Sequence, residues 1–261
     1  MEKIYRGPMF PMSVTQRIGF IKQPYGGYIK PSDMQVTYYK NKELLHENEV
    51  VHSSLMGLAV DYLTRFSIYQ NKVEVFRISL NGALQINDLE NAADLLDEIE
   101  GLDYQSIENA IRLCGYDVIF RTGLRYYVPV NEIEIDKNSV DNVRIMVRRT
   151  LDFLDQEKKI VQYGFTFKGG YTDCIATGDG DVLTEDTLWD FKVSKSKPNS
   201  KQTLQILVYY LMGLHSIHDY FKNVKYIGIY NPRLNCSYKL AIDSIDNNVI
   251  SEVEKEVIGY D

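Results

Sequence analysis

Hydrophobic positions change their period several times along the chain, and each change predicts a different element. Val50, Val51, Leu55, Leu58, Ala59, Tyr62, Leu63 and Phe66 recur at three- and four-residue steps, which predicts an amphipathic helix over 49–66. Similar spacing predicts helices over 87–100, 104–114 and 140–154. Between 116 and 135, Val118-Ile119-Phe120 and Tyr126-Tyr127-Val128 read as strands. Further on, short apolar runs separated by Gly, Asp and Thr predict strands over 163–167, 171–177 and 188–193. A strongly apolar helix over 203–214 and a strand over 224–230 follow, the latter closed by Asn231-Pro232, and 246–258 reads as a charged surface helix. Residues 1–35, punctuated by Pro8, Pro11, Pro24, Gly26, Gly27 and Pro31, predict an irregular arm.

Strands, a helix and a further strand, preceded by a mostly helical segment, predict an α/β (α+β) sandwich with an insertion. The length of 261 residues and a 44% hydrophobic, 25% charged composition place the chain in the globular class and exclude collagen, coiled coil and wholesale disorder. Twenty-nine basic against 36 acidic residues leave a net charge of −7, which excludes a uniformly basic coat for indiscriminate nucleic-acid binding. A local basic strip beside a carboxylate site remains compatible with it. Cys114, Cys174 and Cys236 are scattered and form no Cys-x-x-Cys pair, so neither a disulfide framework nor a zinc site is expected. With no signal-like start and no run of about 18 apolar residues, the expectation is a cytoplasmic protein without membrane partners.

The chemistry concentrates between 170 and 209. In a strand, residues two apart share a face, so Asp190 and Lys192 point one way while Trp189, Phe191 and Val193 point the other. Asp173 is the carboxylate of the preceding predicted strand; with 178–186 as the connecting loop, antiparallel pairing brings it opposite the Asp190–Lys192 region, in a register that local sequence does not fix. Two converging carboxylates with few other ligands suit Mg²⁺ (or Mn²⁺). Alternatives stand beside each reading. Asp-x-Lys is a short, common pattern, and Asp173 alone can be a strand-end acid. Asp179 and Asp181, beside Gly178 and Gly180, read first as turn formers, with Asp181 kept as a secondary ligand candidate. Gln205 and Tyr209 stack at i and i+4 on the apolar helix, where the plainer reading is a helix-end glutamine and a core tyrosine. Lys195, Lys197 and Lys201 form the densest basic stretch and suit phosphate contacts, or simply a solvated surface. There is no P-loop, and His215 and His218 lack a third ligand nearby.

Gly170-x-x-Asp173, Asp190-Phe191-Lys192 and Gln205-x-x-x-Tyr209 together resemble the PD-(D/E)XK nuclease superfamily, and the glutamine–tyrosine motif resembles its RecB-like exonuclease branch. The resemblance covers 170–209 well and about 160–232 loosely. It implies a restriction-endonuclease-like core, a mixed central β-sheet flanked by helices, over 160–261. The helix at 49–66 would be the first core helix, 67–159 a mostly helical insertion, and 1–48 an irregular N-terminal arm. That branch often carries Gly-x-x-x-His on the first helix; here Gly57 is followed by Asp61, an oxygen ligand in place of histidine. The implied roles are metal binding by Asp173, Asp190 and Asp61, positioning or activation of the attacking water by Lys192, and orientation of that lysine or the substrate by Gln205 and Tyr209. Because the lysine is not a ligand, its truncation is expected to leave folding intact.

The resemblance thus implies an Mg²⁺-dependent hydrolase acting on DNA rather than RNA and exonuclease-like in action. The alternatives are a nucleic-acid-binding or assembly protein that keeps the fold with little or no activity, and a ribonuclease. Oligomeric state is not legible in the sequence.

Overall fold

The computed structural model describes residues 11–40 and 43–261. In chain order the elements are β1 (Met12–Ser13), α1 (Val14–Phe20), β2 (Gln35–Tyr38), α2 (Ser53–Tyr69), α3 (Lys72–Val75), α4 (Arg77–Gln85), α5 (Leu89–Asp97), α6 (Tyr104–Cys114), α7 (Asp117–Thr122) and α8 (Lys137–Gln156). There follow β3 (Ile160–Thr166), β4 (Ile175–Thr177), β5 (Asp179–Thr184), β6 (Thr187–Phe191), α9 (Ser200–Leu214), β7 (Tyr226–Asn231), β8 (Cys236–Ala241) and α10 (Asn247–Glu252). The chain divides into two compact units, a helical one over Lys40–Phe153 and a sheet-containing one made of residues 11–39 and Leu154–Asp261. No helix of the described residues is long and apolar enough to cross a membrane.

The sheet unit is mixed α/β. Its six strands lie in the order β2-β8-β7-β6-β5-β3, antiparallel except for the parallel pair β6–β7, which needs a crossover and obtains it from α9. The helix is apolar almost all round, with Leu204, Ile206, Leu207, Val208, Leu211 and Met212 buried, and it packs with α1 and the 253–258 turn on Leu188, Ile227 and Ile229 of the sheet. Asn199 caps its start by accepting from the amides of Lys201 and Gln202 while Gln202 answers in a capping box.

Several expectations change here. The arm carries structure: α1, opened by a Ser13–Gln16 capping box, and β2, which pairs antiparallel with β8. Arg6 and Pro8 of that arm lie outside the described residues. The helix expected as the first core helix, α2, belongs to the helical unit.

The stretch 178–186, expected as a loop, is mostly strand β5, and the turn is only Glu185-Asp186. Gly-Asp-Gly-Asp looks like turn sequence, but Gly180 is required within the strand because the Phe165 ring of β3 lies over it. A Cβ there would sit 2.2 Å from that ring. The strand expected over 171–177 shrinks to β4, which pairs in parallel with β1 in a separate two-stranded sheet. The last segment is not a surface helix throughout: after α10 the backbone makes a π-helical turn over Val253–Ile258, with Val253, Val257 and Ile258 fully buried.

In the helical unit, the expected strand at Val118-Ile119-Phe120 is instead α7. Its first residue, Asp117, is buried and accepts from the Tyr62 hydroxyl of α2 at 2.6 Å, from the Ser79 hydroxyl of α4 and from Arg121 one turn on at 3.4 Å. These contacts outweigh the weak helix propensity of the β-branched residues that follow. Arg144, Arg148 and Arg149 of α8 are engaged within the unit by Asp141, Glu43 and the Leu102 and Glu43 carbonyls.

Candidate active site

β6 is the central element of the site. Leu188 faces α9, so Asp190, two residues on, faces the same way, and Lys192 follows directly after the strand. Behind them Trp189 is buried against Gly228 of β7, where a Cβ would lie 2.2 Å from the indole. Asp190 is 1% exposed. Lys192 donates to Oδ1 of Asp190 at 3.0 Å, and its Nζ lies 2.8 Å from Oδ2. The second contact is off the axis of a hydrogen bond, so Oδ2 is buried without one. Burial pushes the Asp190 carboxyl up, against the pull of the Lys192 ammonium. Burial works to lower Lys192, yet the charges of Asp190 and then Asp181 raise it, which keeps it an ammonium. The pair is an ion pair held in low dielectric.

The strand that pairs antiparallel with β6 carries Asp181, not Asp173. β5 and β6 pair antiparallel with Val182 opposite Trp189, and continuing that register places Asp181 opposite Asp190. Oδ2 of Asp181 accepts the Phe191 amide at 2.6 Å, which fixes it at the end of β6. Asp173 lies exposed in a bend before β4, and β4 pairs with β1 rather than with β6. The expectation that Asp173 and Asp190 sit on adjacent strands fails because β5 intervenes. The alternation of Asp179 and Asp181, two residues apart and so on one strand face, was the available signal, obscured by the glycines beside them.

Gln205 and Tyr209 form one unit on α9: Gln205 Nε2 donates to the Tyr209 hydroxyl at 2.8 Å, and the tyrosine ring stacks on Phe167 with centroids 5.0 Å apart. The Tyr209 phenol is pushed far above its ordinary range by burial first, and then by the charges of Asp190, Asp181 and Asp179. This glutamine–tyrosine pair therefore sits within the field of the carboxylates.

Lys195, Lys197 and Lys201 are exposed on and after the loop leading to α9. That loop is tethered by Asn231, a buried residue with no sequence signal beyond its place before Pro232. Asn231 donates to the Ser194 carbonyl at 2.8 Å and accepts from the amide of Arg233 at 3.0 Å. Asp61 lies on α2 in the helical unit, part-buried and paired with Arg65 at 2.6 Å; burial raises its carboxyl while Arg65 pulls it down. His215 stacks on Tyr260 and His218 on Tyr220.

Among the described residues no group of three or more His, Cys, Asp or Glu side chains is arranged to hold a metal. Asp181 and Asp190 lie on paired strands, Asp181 is held by the Phe191 amide, and Asp190 has a buried oxygen without a hydrogen bond. That donor set suits a hard cation such as Mg²⁺, which takes one or two carboxylates and completes its shell with water and substrate phosphate. Comparisons with protein-family models, with curated proteins and with solved structures give no match.

Proposed function

We propose that this chain is a metal-dependent nuclease of the PD-(D/E)XK type that hydrolyses phosphodiester bonds of DNA. The observation that carries the reading is buried Asp190 ion-paired with part-exposed Lys192, with Asp181 held at the Phe191 amide on the neighbouring strand. A buried charge pair costs desolvation and seldom improves stability over an apolar pair, so its presence at a strand end asks for a functional reason. Asp181 and Asp190 would hold the ion, with the Phe191 carbonyl as a further oxygen at the same strand end. When bound, a divalent ion polarises the phosphate and acidifies a coordinated water.

Lys192 does the remaining work at the reacting phosphate. Burial works to lower the pKa of its ammonium while the charges of Asp190 and Asp181 raise it, the net direction being up. Its role is to hold the attacking water by hydrogen bonding and to neutralise the charge that builds on phosphate oxygens. The water oxygen forms the new bond to phosphorus as the bond to the departing sugar oxygen breaks, with the water's proton passing to bulk solvent and a solvent proton completing the sugar hydroxyl. Gln205 locks the Tyr209 hydroxyl, and the pair keeps the α9 side of the carboxylates rigid. Lys195, Lys197 and Lys201 offer three cations to the strand backbone.

A nucleic-acid-binding protein that keeps this fold without cleavage is the second reading. Incubating end-labelled single- and double-stranded DNA and RNA with Mg²⁺ or Mn²⁺, with chelator controls and the Lys192→Ala variant alongside, decides between them. Metal-dependent shortening of DNA that the variant loses is the expected result. Binding with no cleavage under any metal supports the second reading, and cleavage of RNA alone replaces DNA as the substrate.

A further inference from the structure

The helical unit carries a surface that the catalytic reading does not use. From Val118 to Asn131 the chain contains Arg121 and Arg125 and no acidic residue, in a protein whose net charge is −7. Within this stretch Phe120, Leu124, Tyr126 and Val128 are between 48% and 66% exposed. Large apolar side chains this open are normally scattered singly, whereas these stand within nine positions of one another. The Arg125 guanidinium lies over the Tyr126 ring, 5.2 Å from its centroid.

The surface is anchored to the helical unit by packing and hydrogen bonds. Tyr127 turns inward and stacks on buried Tyr116, with centroids 6.1 Å apart and planes 22° from parallel. Gly123, at φ 76°, ends α7 by donating to the Ile119 carbonyl, and a 3₁₀ turn over Leu124–Tyr126 follows at once. Arg112 holds the far end through the Val130 carbonyl at 2.8 Å. Contacts made by inward residues on either side thus hold the turn that carries the outward ones.

We propose that this surface is a stacking platform for the unpaired bases of single-stranded DNA, with Phe120 and Tyr126 as the ring faces and Arg125 as the phosphate and cation–π partner. The inference rests on the nuclease reading for its choice of DNA and extends it to the form of the substrate. Aromatic faces interleaved with arginines bind single strands because every exposed base offers a π-face and every linkage a charge. Paired bases are already stacked and offer neither face. An apolar partner protein would need no exposed cation, whereas Arg125 stands exposed over the Tyr126 ring, Arg121 being held by Asp117.

The test is fluorescence anisotropy of the full chain with labelled oligo(dT) about 15 nucleotides long, within the range of single-strand sites, in chelator so that nothing is cleaved. Phe120→Ala and Tyr126→Ala should each weaken binding about 5- to 150-fold, the effect of losing one base–aromatic stack. Tyr25→Ala, which removes a fully exposed tyrosine of the sheet unit, should leave affinity unchanged. A duplex of the same length should bind far more weakly and be indifferent to the two platform variants. The proposal is overturned if wild type does not bind oligo(dT), if the platform variants bind like wild type, or if the duplex binds equally well. It is also overturned if oligo(U) binds more tightly, or if the variants instead abolish self-association seen by sedimentation. Cleavage with unchanged affinities removes the platform and spares the nuclease reading. Stacking-dependent binding without cleavage removes the nuclease reading and spares the platform.

Discussion

Asp117 in the helical unit and Asp190 in the sheet unit are both withdrawn from water, at 0% and 1% exposure, and they are partnered in opposite ways. Both oxygens of Asp117 are occupied: Oδ1 by the Ser79 hydroxyl, Oδ2 by the Tyr62 hydroxyl and Arg121. Those partners come from α2, α4 and α7, so the carboxylate ties three helices together. Asp190 has one partner, Lys192, two residues on and just past the end of its strand, and one oxygen left without a hydrogen bond. A buried carboxylate with every lone pair satisfied joins elements and has nothing left to offer a ligand. One that keeps a spare oxygen beside a cation is poor at joining elements and suited to chemistry.

The largest expected effect is on catalysis. Lys192→Ala should lower cleavage by about two to four orders of magnitude, the scale of losing a positioned electrostatic group. Asp117→Asn should leave the rate per folded molecule unchanged in the same single-turnover assay. Equal losses in both would erase the distinction between the two aspartates. The lysine is also less separable from folding than its sequence suggests, since its loss strands Asp190 as a buried unpaired carboxylate, a change that costs about 3–5 kcal/mol. Rates should therefore be normalised to the folded fraction.

Stability should show the opposite asymmetry. Asp117→Ala leaves two buried hydroxyls and a guanidinium without their acceptor, and urea unfolding should report a loss of about 3–5 kcal/mol. Replacing the other pair entirely, as Asp190→Leu with Lys192→Met, should be neutral or should raise stability by about 1–4 kcal/mol while abolishing cleavage. A double variant that unfolds would make the Asp190–Lys192 pair a structural tie like Asp117.

The choice between the two candidate second carboxylates is a smaller effect. Asp181→Asn should reduce activity about 10- to 100-fold, since it loosens the Phe191 end of β6 as well as removing a charge. Asp173→Asn, at an exposed bend, should change neither activity nor stability by more than about 0.5 kcal/mol. If Asp173 proves the more sensitive position, the register-based placement of the site is wrong.

The smallest effect is a pH slope. The Tyr62 phenol is pushed above its ordinary range by burial, then by the charge of Asp117. A phenol raised in the folded state stabilises fully below its unfolded value of about 10, and that contribution is lost as pH rises above it. Urea midpoints for wild type should therefore fall between about pH 9 and 11 more steeply than for Tyr62→Phe, whose baseline should sit about 1 kcal/mol lower. Parallel slopes would mean that Tyr62 does not couple the helices through Asp117.

Periodicity alone located much of the framework. The three- and four-residue spacing placed α6 at 104–114 and marked α2, α8 and α9 within a few residues, because an amphipathic face is written into local order. Period two put Asp190 and Lys192 on one side and Trp189 behind them, and i, i+4 spacing joined Gln205 to Tyr209, relations that a single strand or helix determines without help from the rest of the chain. Tertiary structure decided whatever depended on a distant partner. Phe165 makes Gly180 a strand residue, so Asp181 rather than Asp173 faces Asp190. Tyr62 and Ser79, 55 and 38 residues before Asp117, anchor the helix that opens at that aspartate, where the local sequence reads as a strand. Local patterns report which side chains share a face; which strand lies next to that face is set by pairing and ring packing between residues far apart in sequence, and no local period encodes it.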